Sequence, residues 1–282
     1  MTYEKALDGP PFLLYTDMDK SLIGGNFMNI AVVTGASSGI GMEFVKRIAA
    51  EGGIDEMWLI ARRADRLEKL ASELSLPCRV LSLDLTERDS FKTYYDLLES
   101  EKPVIRTLVN AGGFGKFGHH TAVDVEVGLN MIDLNCKALM AMTELSLPFM
   151  EKGSVIYQMG SLSSFQPVPY LNTYAASKAF VLSYTRGLNR ELKHSGIRVM
   201  AVCPGWVQTE FFDRAATSDA DAVTYFNHIY TPEDVVHTAF KDMRRGRDVS
   251  VHGFPIKLQV LGVKLLPHKL VMNIWMRQQK HK

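Results

Sequence analysis

The chain has 282 residues, 46% hydrophobic and 22% charged, a size and balance that suit one large α/β domain or two small ones. Its 32 basic and 31 acidic side chains nearly cancel, which removes any global field drawing it to nucleic acid or to an acidic partner. Cys78, Cys136 and Cys203 are widely spaced and make neither a Cys-x-x-Cys pair nor a metal cluster, so the cysteine usage suits a reduced, cytoplasmic protein with no metal site.

Residues 1–27 carry Lys5 and Lys20 against four acids, and their longest apolar run is "FLLY", which makes neither a signal peptide nor a membrane span. They read as a dispensable extension ahead of Met28, with one domain from there to Gly253 and a tail over 254–282. "IAVVTG" is a strand, and "GIGMEFVKRIAAEGG" is a helix whose Ile40, Phe44, Val45 and Ile48 share a face until Gly52 and Gly53 stop it. The strand theme returns at 57–61, 79–84, 107–113, 154–161, 197–205 and 248–253, with helical patterns between. Near-continuous apolar strands alternating with helices imply a seven-stranded parallel sheet, doubly wound, with helices on both faces.

"TGASSGIG" sets Gly35, Gly39 and Gly41 between the first strand and first helix, where missing Cβ atoms let pyrophosphate approach backbone N–H groups and a helix N-terminus. Where NAD-binding folds place an acid for the ribose hydroxyl, this chain has Ala61, followed by Arg62 and Arg63, whose guanidinium groups suit the 2′-phosphate of NADP. Asp84, closing the third strand, is open to two readings, an acceptor for an adenine amino group or a cap for the next helix. His119 and His120 are adjacent but have no third ligand spaced to join them. Thr231, Pro232 and Asp234 form a helix-start signal.

In "TYAASKAF", Tyr174 and Lys178 stand one helical turn apart on one face. That pair alone does not separate a surface helix from a chemical centre. Ligands in open parallel sheets sit outside the carboxyl ends of the strands, and Gly35, Asn110 to Gly112, Ser161, Pro204 and Gly205 all fall at that edge.

Taken in order, "TGASSGIG", "NAGG", "DLN", "GS", "YAASK" and "PGWVQT" make the chain resemble the short-chain dehydrogenase/reductase family from about Met28 to Gly253. The resemblance implies a Rossmann-type fold and a catalytic tetrad at Asn135, Ser161, Tyr174 and Lys178. It also implies an NADP site built from Gly35, Ser37, Ser38, Gly39, Ile40, Arg62, Arg63, Asp84, Leu85, Asn110, Ala111, Gly112, Tyr174, Lys178, Pro204, Gly205, Val207 and Thr209. Some NADP-using members carry a basic residue where this chain has Ser38, so the expectation of NADP rests on Arg62, Arg63 and the missing acid. Tyr174 is the expected general acid and base, with Lys178 and the positive nicotinamide ring of the oxidised cofactor lowering its pKa and Lys178 also binding the nicotinamide ribose. Ser161 orients the substrate oxygen, with Ser163 and Ser164 as competitors for that role, and Asn135 holds a water that relays protons toward Lys178.

Phe114, Phe117, Phe165, Pro167, Tyr170, Trp206, Phe211 and Phe212 are expected to ring the centre, an apolar wall that suits a lipid-like or hydroxysteroid-like carbonyl. A 3-oxoacyl thioester substrate, or a non-catalytic NADP-sensing or scaffolding role, are the rival readings. The tail carries six Lys or Arg and no acid among many apolar residues, which leaves open a helical flap, a basic amphipathic contact with a membrane surface, or a subunit interface. Family habit adds a homo-oligomer, a dimer or tetramer.

Overall fold

The computed structural model describes residues 27–215 and 222–279, so the extension expected over residues 1–27 lies outside it except for Phe27. Seven parallel strands form one sheet in the order β3-β2-β1-β4-β5-β6-β7: β1 Asn29–Thr34, β2 Glu56–Ala61, β3 Cys78–Ser82, β4 Val104–Asn110, β5 Val155–Met159, β6 Arg198–Val202 and β7 Val249–Ser250. The doubly wound sheet expected from the alternating pattern is the observed architecture.

Although the strands read as unbroken apolar runs, their side chains alternate between two cores. Ala31, Val33, Met57 and Leu59 face one side, where α1 (Gly39–Glu51) contributes Phe44 and Val45 and α2 (Ala64–Ser72) contributes Leu67 and Leu70. Ile30, Val32, Trp58 and Ile60 face the other, packed by Tyr94 and Leu98 of α3 (Arg88–Glu101). Burial on both faces is the reason no strand shows a polar side. Gly52 and Gly53 end α1 with φ of 70° and 82°, conformations that cost a side chain dearly.

The apolar stretch "MIDLNCKA" reads as a helix, and the structure places a π-helical segment within it. α4 (Val125–Ile132) passes into a π-helical segment, Asp133–Ala138, and then into α5 (Leu139–Ser146). The wider turn carries Asn135 and Cys136 inward. α6 (Asn172–Glu191) runs beside it and holds Tyr174 and Lys178. After β6 come the short α7 (Phe211–Ala215) and α8 (Pro232–Arg244), whose start is the reciprocal cap of Thr231 with Asp234 anticipated above.

The tail forms two further helices, α9 (Phe254–Leu265) and α10 (His268–Gln278), separated at Pro267. Ile256, Val260 and Val263 bury one face of α9, while Trp275 donates its indole N–H to the Pro169 carbonyl at 3.0 Å. The Gln279 carboxamide oxygen accepts from the Thr224 and Tyr225 backbone N–H groups at 2.9 and 3.2 Å. Among the described residues, no helix is long and apolar enough to cross a membrane.

Candidate active site

A cleft of about 450 Å³ opens along the carboxyl ends of the strands. Its floor at one end is the glycine loop, which the backbone itself requires to be glycine. A Cβ on Gly35 would lie 2.7 Å from the Gly112 nitrogen, and one on Gly41 would lie 2.3 Å from the Gly35 oxygen. Gly112 in turn donates to the Thr34 hydroxyl at 3.1 Å, so the ends of β1 and β4 are pinned together beneath the loop. The expected phosphate-loop residues Gly35, Ser37, Ser38, Gly39 and Ile40 all line this end, as do Ala111 and Gly112. Thr209 hangs over Gly39, and the loop carrying it is fixed by paired backbone bonds between Gln208, Trp206 and Tyr230.

The two arginines at the end of β2 have different partners. Arg63 reaches across the loop, donating to Ser37 Oγ at 3.0 Å and Ser38 Oγ at 2.9 Å, and to Glu210 at 2.9 Å. Arg66 donates to the other oxygen of the same carboxylate, and these two partners hold Glu210 below the usual carboxylate range. Arg62 instead turns toward Asp84, at 3.4 Å. Asp84 accepts from the Thr86 N–H and hydroxyl, which outweigh the upward effect of its burial and hold its pKa low. It therefore closes a turn, and Glu87 rather than Asp84 stands at the start of α3. Arg62, Arg63, Asp84 and Leu85 all line the cleft.

At the other end, Ser161, Tyr174 and Lys178 line the same cleft, with Pro204, Gly205 and Val207 beside them. Lys178 is buried and donates from Nζ to the Met159 carbonyl at 2.8 Å, while Nζ lies 5.6 Å from the centre of the Tyr174 ring. Burial pushes the Lys178 amine down to about 8 and the Tyr174 phenol up to about 12, with Ser161 opposing the latter through a hydrogen bond. Desolvation of both groups dominates, and the ammonium is committed to the end of β5.

Ser161 is held at the start of a short 3₁₀ turn, Leu162–Phe165. Its hydroxyl accepts from the Ser163 N–H at 3.2 Å, and its own N–H donates to Ser164 Oγ at 3.0 Å. The competing serine Ser164 thus serves to position Ser161, whereas Ser163 Oγ and Gln166 Oε1 are buried polar atoms of cleft residues with no hydrogen-bond partner among the described residues.

Two side chains of the expected site are engaged within the fold. The Asn135 carboxamide is spent on other contacts: Oδ1 accepts from Phe114 N–H at 3.0 Å, and Nδ2 donates to the Phe114 carbonyl at 2.9 Å and to Ser177 Oγ at 3.0 Å. The side chain ties the loop after β4 to α6. Asn110, expected against the cofactor, is buried and donates to Thr143 Oγ1 and Gln158 Oε1, both at 3.0 Å, joining β4 to α5 and β5 behind the cleft.

The aromatic wall is also only partly as expected. Phe114, Trp206 and Phe211 line the cleft. Phe117, Tyr170 and Phe212 instead pack in a cluster with Val168 and Leu171, and Phe165 packs against the cluster beneath α9. Part of the wall comes from the tail helices, from Val263 and Val271 and from Trp275, a member of the tail's apolar set. The sequence pattern missed Glu210, Arg66 and Gly113. A Cβ on Gly113 would lie 2.9 Å from Asn135 Oδ1 and 3.4 Å from Lys178 Nζ, so glycine is needed between them.

The family model for short chain dehydrogenases matches residues 29–220. The chain belongs to the short-chain dehydrogenase/reductase family. This dehydrogenase/reductase is 32% identical over 207 residues to an uncharacterized oxidoreductase of Staphylococcus epidermidis, covering 70% of this chain and 89% of the relative. It is also 32% identical over 263 residues to a very-long-chain 3-oxoacyl-CoA reductase of Anas platyrhynchos, covering 89% and 80%. Among solved structures it is similar to a short-chain dehydrogenase from Sphingobium yanoikuyae in complex with NADPH, with a TM-score of 0.71 and 27% identity over 84% of this chain and 94% of that one. As a member of this family, the short-chain dehydrogenase/reductase described here is an oxidoreductase.

Proposed function

We propose that this oxidoreductase uses NADP(H) to interconvert a ketone and a secondary alcohol on an apolar substrate, with Tyr174 as general acid and base. The observation that carries this reading is one cleft with Tyr174, Lys178 and Ser161 at one end and a glycine loop crossed by Arg63 at the other. The NADPH complex of the Sphingobium relative, 27% identical, supports the same cofactor.

The residues fit that cofactor. The Cβ-free cradle of Gly35, Gly39 and Gly41 suits a pyrophosphate, and Arg63 with Ser37 and Ser38 forms a donor set for a 2′-phosphate. A bound nicotinamide supplies or accepts the hydride, and its oxidised ring is positive. Tyr174 delivers its proton to the carbonyl oxygen during reduction and removes it from the hydroxyl during oxidation. Ser161 donates a hydrogen bond to the same oxygen as charge builds on it. Lys178, fixed by Met159, stabilises the phenolate and orients the ribose, while Asn135 holds Phe114 and Ser177 around them. Burial raises the Tyr174 phenol to about 12, so Lys178 and the positive oxidised nicotinamide act against that desolvation when the phenolate forms.

The test is Tyr174→Phe. Loss of kcat by about 10²–10⁴-fold with NADPH affinity unchanged is the expected result. NADPH oxidation at the wild-type rate would sink the assignment, and a wild type that binds NADPH without turning over any ketone would favour a sensing or scaffolding role.

A second reading is favoured by the Anas relative's name and by the apolar walls that α9 and α10 add to the cleft. In it, the carbonyl belongs to a long-chain 3-oxoacyl thioester. A panel of bulky ketones, hydroxysteroids and 3-oxoacyl-CoA esters, run with NADPH and NADH, separates the two by kcat/KM.

A further inference from the structure

Helix α9 is apolar on two opposite faces. Ile256, Val260 and Val263 are buried against the domain, while Phe254, Leu258, Leu261 and Leu265 are 53–77% exposed. The exposed four follow an i, i+4, i+7, i+11 spacing, which gathers them within about 60° of the helix circumference. Leu266 in the turn between the helices and Leu270 and Ile274 on one side of α10 are exposed apolar residues as well. Leu266 and Ile274 also line the cleft, so exposed apolar residues of the tail stand at its wall. A contiguous row of exposed large apolar side chains on a helix marks a face that a partner surface covers.

The charge around that face indicates its cover. Lys257, Lys264, Lys269 and Arg277 are exposed on the same two helices, and no acidic residue occurs from 254 to 282. A second copy docked through a two-fold axis would set this cationic rim against itself. An anionic lipid surface meets both features, accepting the leucines between acyl chains and the lysines among headgroups.

We propose that α9 and α10 dock this enzyme on an anionic bilayer, with the cleft mouth at the lipid surface. Docking does not depend on which carbonyl compound the cleft takes. The test is co-sedimentation of the full chain with vesicles of phosphatidylcholine alone or with about a third phosphatidylserine. Binding to the anionic vesicles is expected, falling about fivefold for each charge removed in Lys257→Gln and Lys269→Gln. At least a tenfold loss is expected in the triple variant Leu258→Gln, Leu261→Gln, Leu265→Gln. None of these positions lines the cleft, so thermal unfolding and NADPH binding of all the variants should match the wild type. Wild-type protein that stays in the supernatant with both vesicles overturns the proposal, as does undiminished binding of the triple variant. A concentration-dependent oligomer that the triple variant abolishes, without vesicle binding, assigns the face to a second copy instead.

Discussion

Arg63 concentrates several contacts in one side chain. Its guanidinium meets two serine hydroxyls of the glycine loop and the Glu210 carboxylate together. A 2′-phosphate that replaced Glu210 as its anionic partner would gain charge-assisted bonds worth about 1.5–3 kcal/mol. Arg63→Ala is therefore expected to weaken NADPH binding by roughly 10- to 100-fold while leaving NADH binding nearly unchanged, as read by quenching of protein fluorescence. Equal loss for both cofactors would remove the phosphate from this position. Lys178 gives a second test at this scale. Its folded pKa of about 8 lies below the ordinary 10.5, so as pH rises the folded chain releases this proton first. Between those values the unfolded chain binds more protons, and stability contributed by this group rises with pH; below about 8 the buried charge costs stability throughout. Urea denaturation at about pH 7 and about pH 10 should show wild type gaining on Lys178→Met across that window. A pH-independent difference would contradict the buried, depressed amine.

At the scale of elements, the glycine loop and the helix after it share one constraint. Alanine at Gly41 gains about 1 kcal/mol in helix propensity. Against that, its Cβ would stand 2.3 Å from the Gly35 carbonyl oxygen, backbone against side chain with no flexible atom to yield. Crowding of this kind costs about 1–3 kcal/mol, so Gly41→Ala is expected to lower the thermal midpoint and to open the loop enough to cut NADPH affinity at least tenfold. An unchanged midpoint and affinity would show that the loop has room. The strands and the glycine loop were legible in the sequence because apolar runs, period and glycine spacing are local signals. The π-helical turn at Asp133–Ala138 was not, since one extra residue in a turn leaves the apolar pattern almost intact. The direction of Asn110, the occupation of Asn135 and the pairing of Glu210 with Arg63 and Arg66 depend on elements that meet only after folding. Tail helices that line the cleft were foreseeable as amphipathic, but not which face would turn inward.

For the molecule as a whole, a formal net charge of +1 conceals a division. The six cations of residues 254–282, unaccompanied by any acid, leave a net of −5 on the remaining chain. Four of those cations, Lys257, Lys264, Lys269 and Arg277, are exposed on α9 and α10, helices that also line the cleft, so a locally positive surface stands beside the cleft despite the near-neutral total. Near any charged surface a molecule with such a patch experiences a torque before it experiences much net attraction. It turns first and approaches second, and with an anionic surface the side that leads is the one beside the cleft.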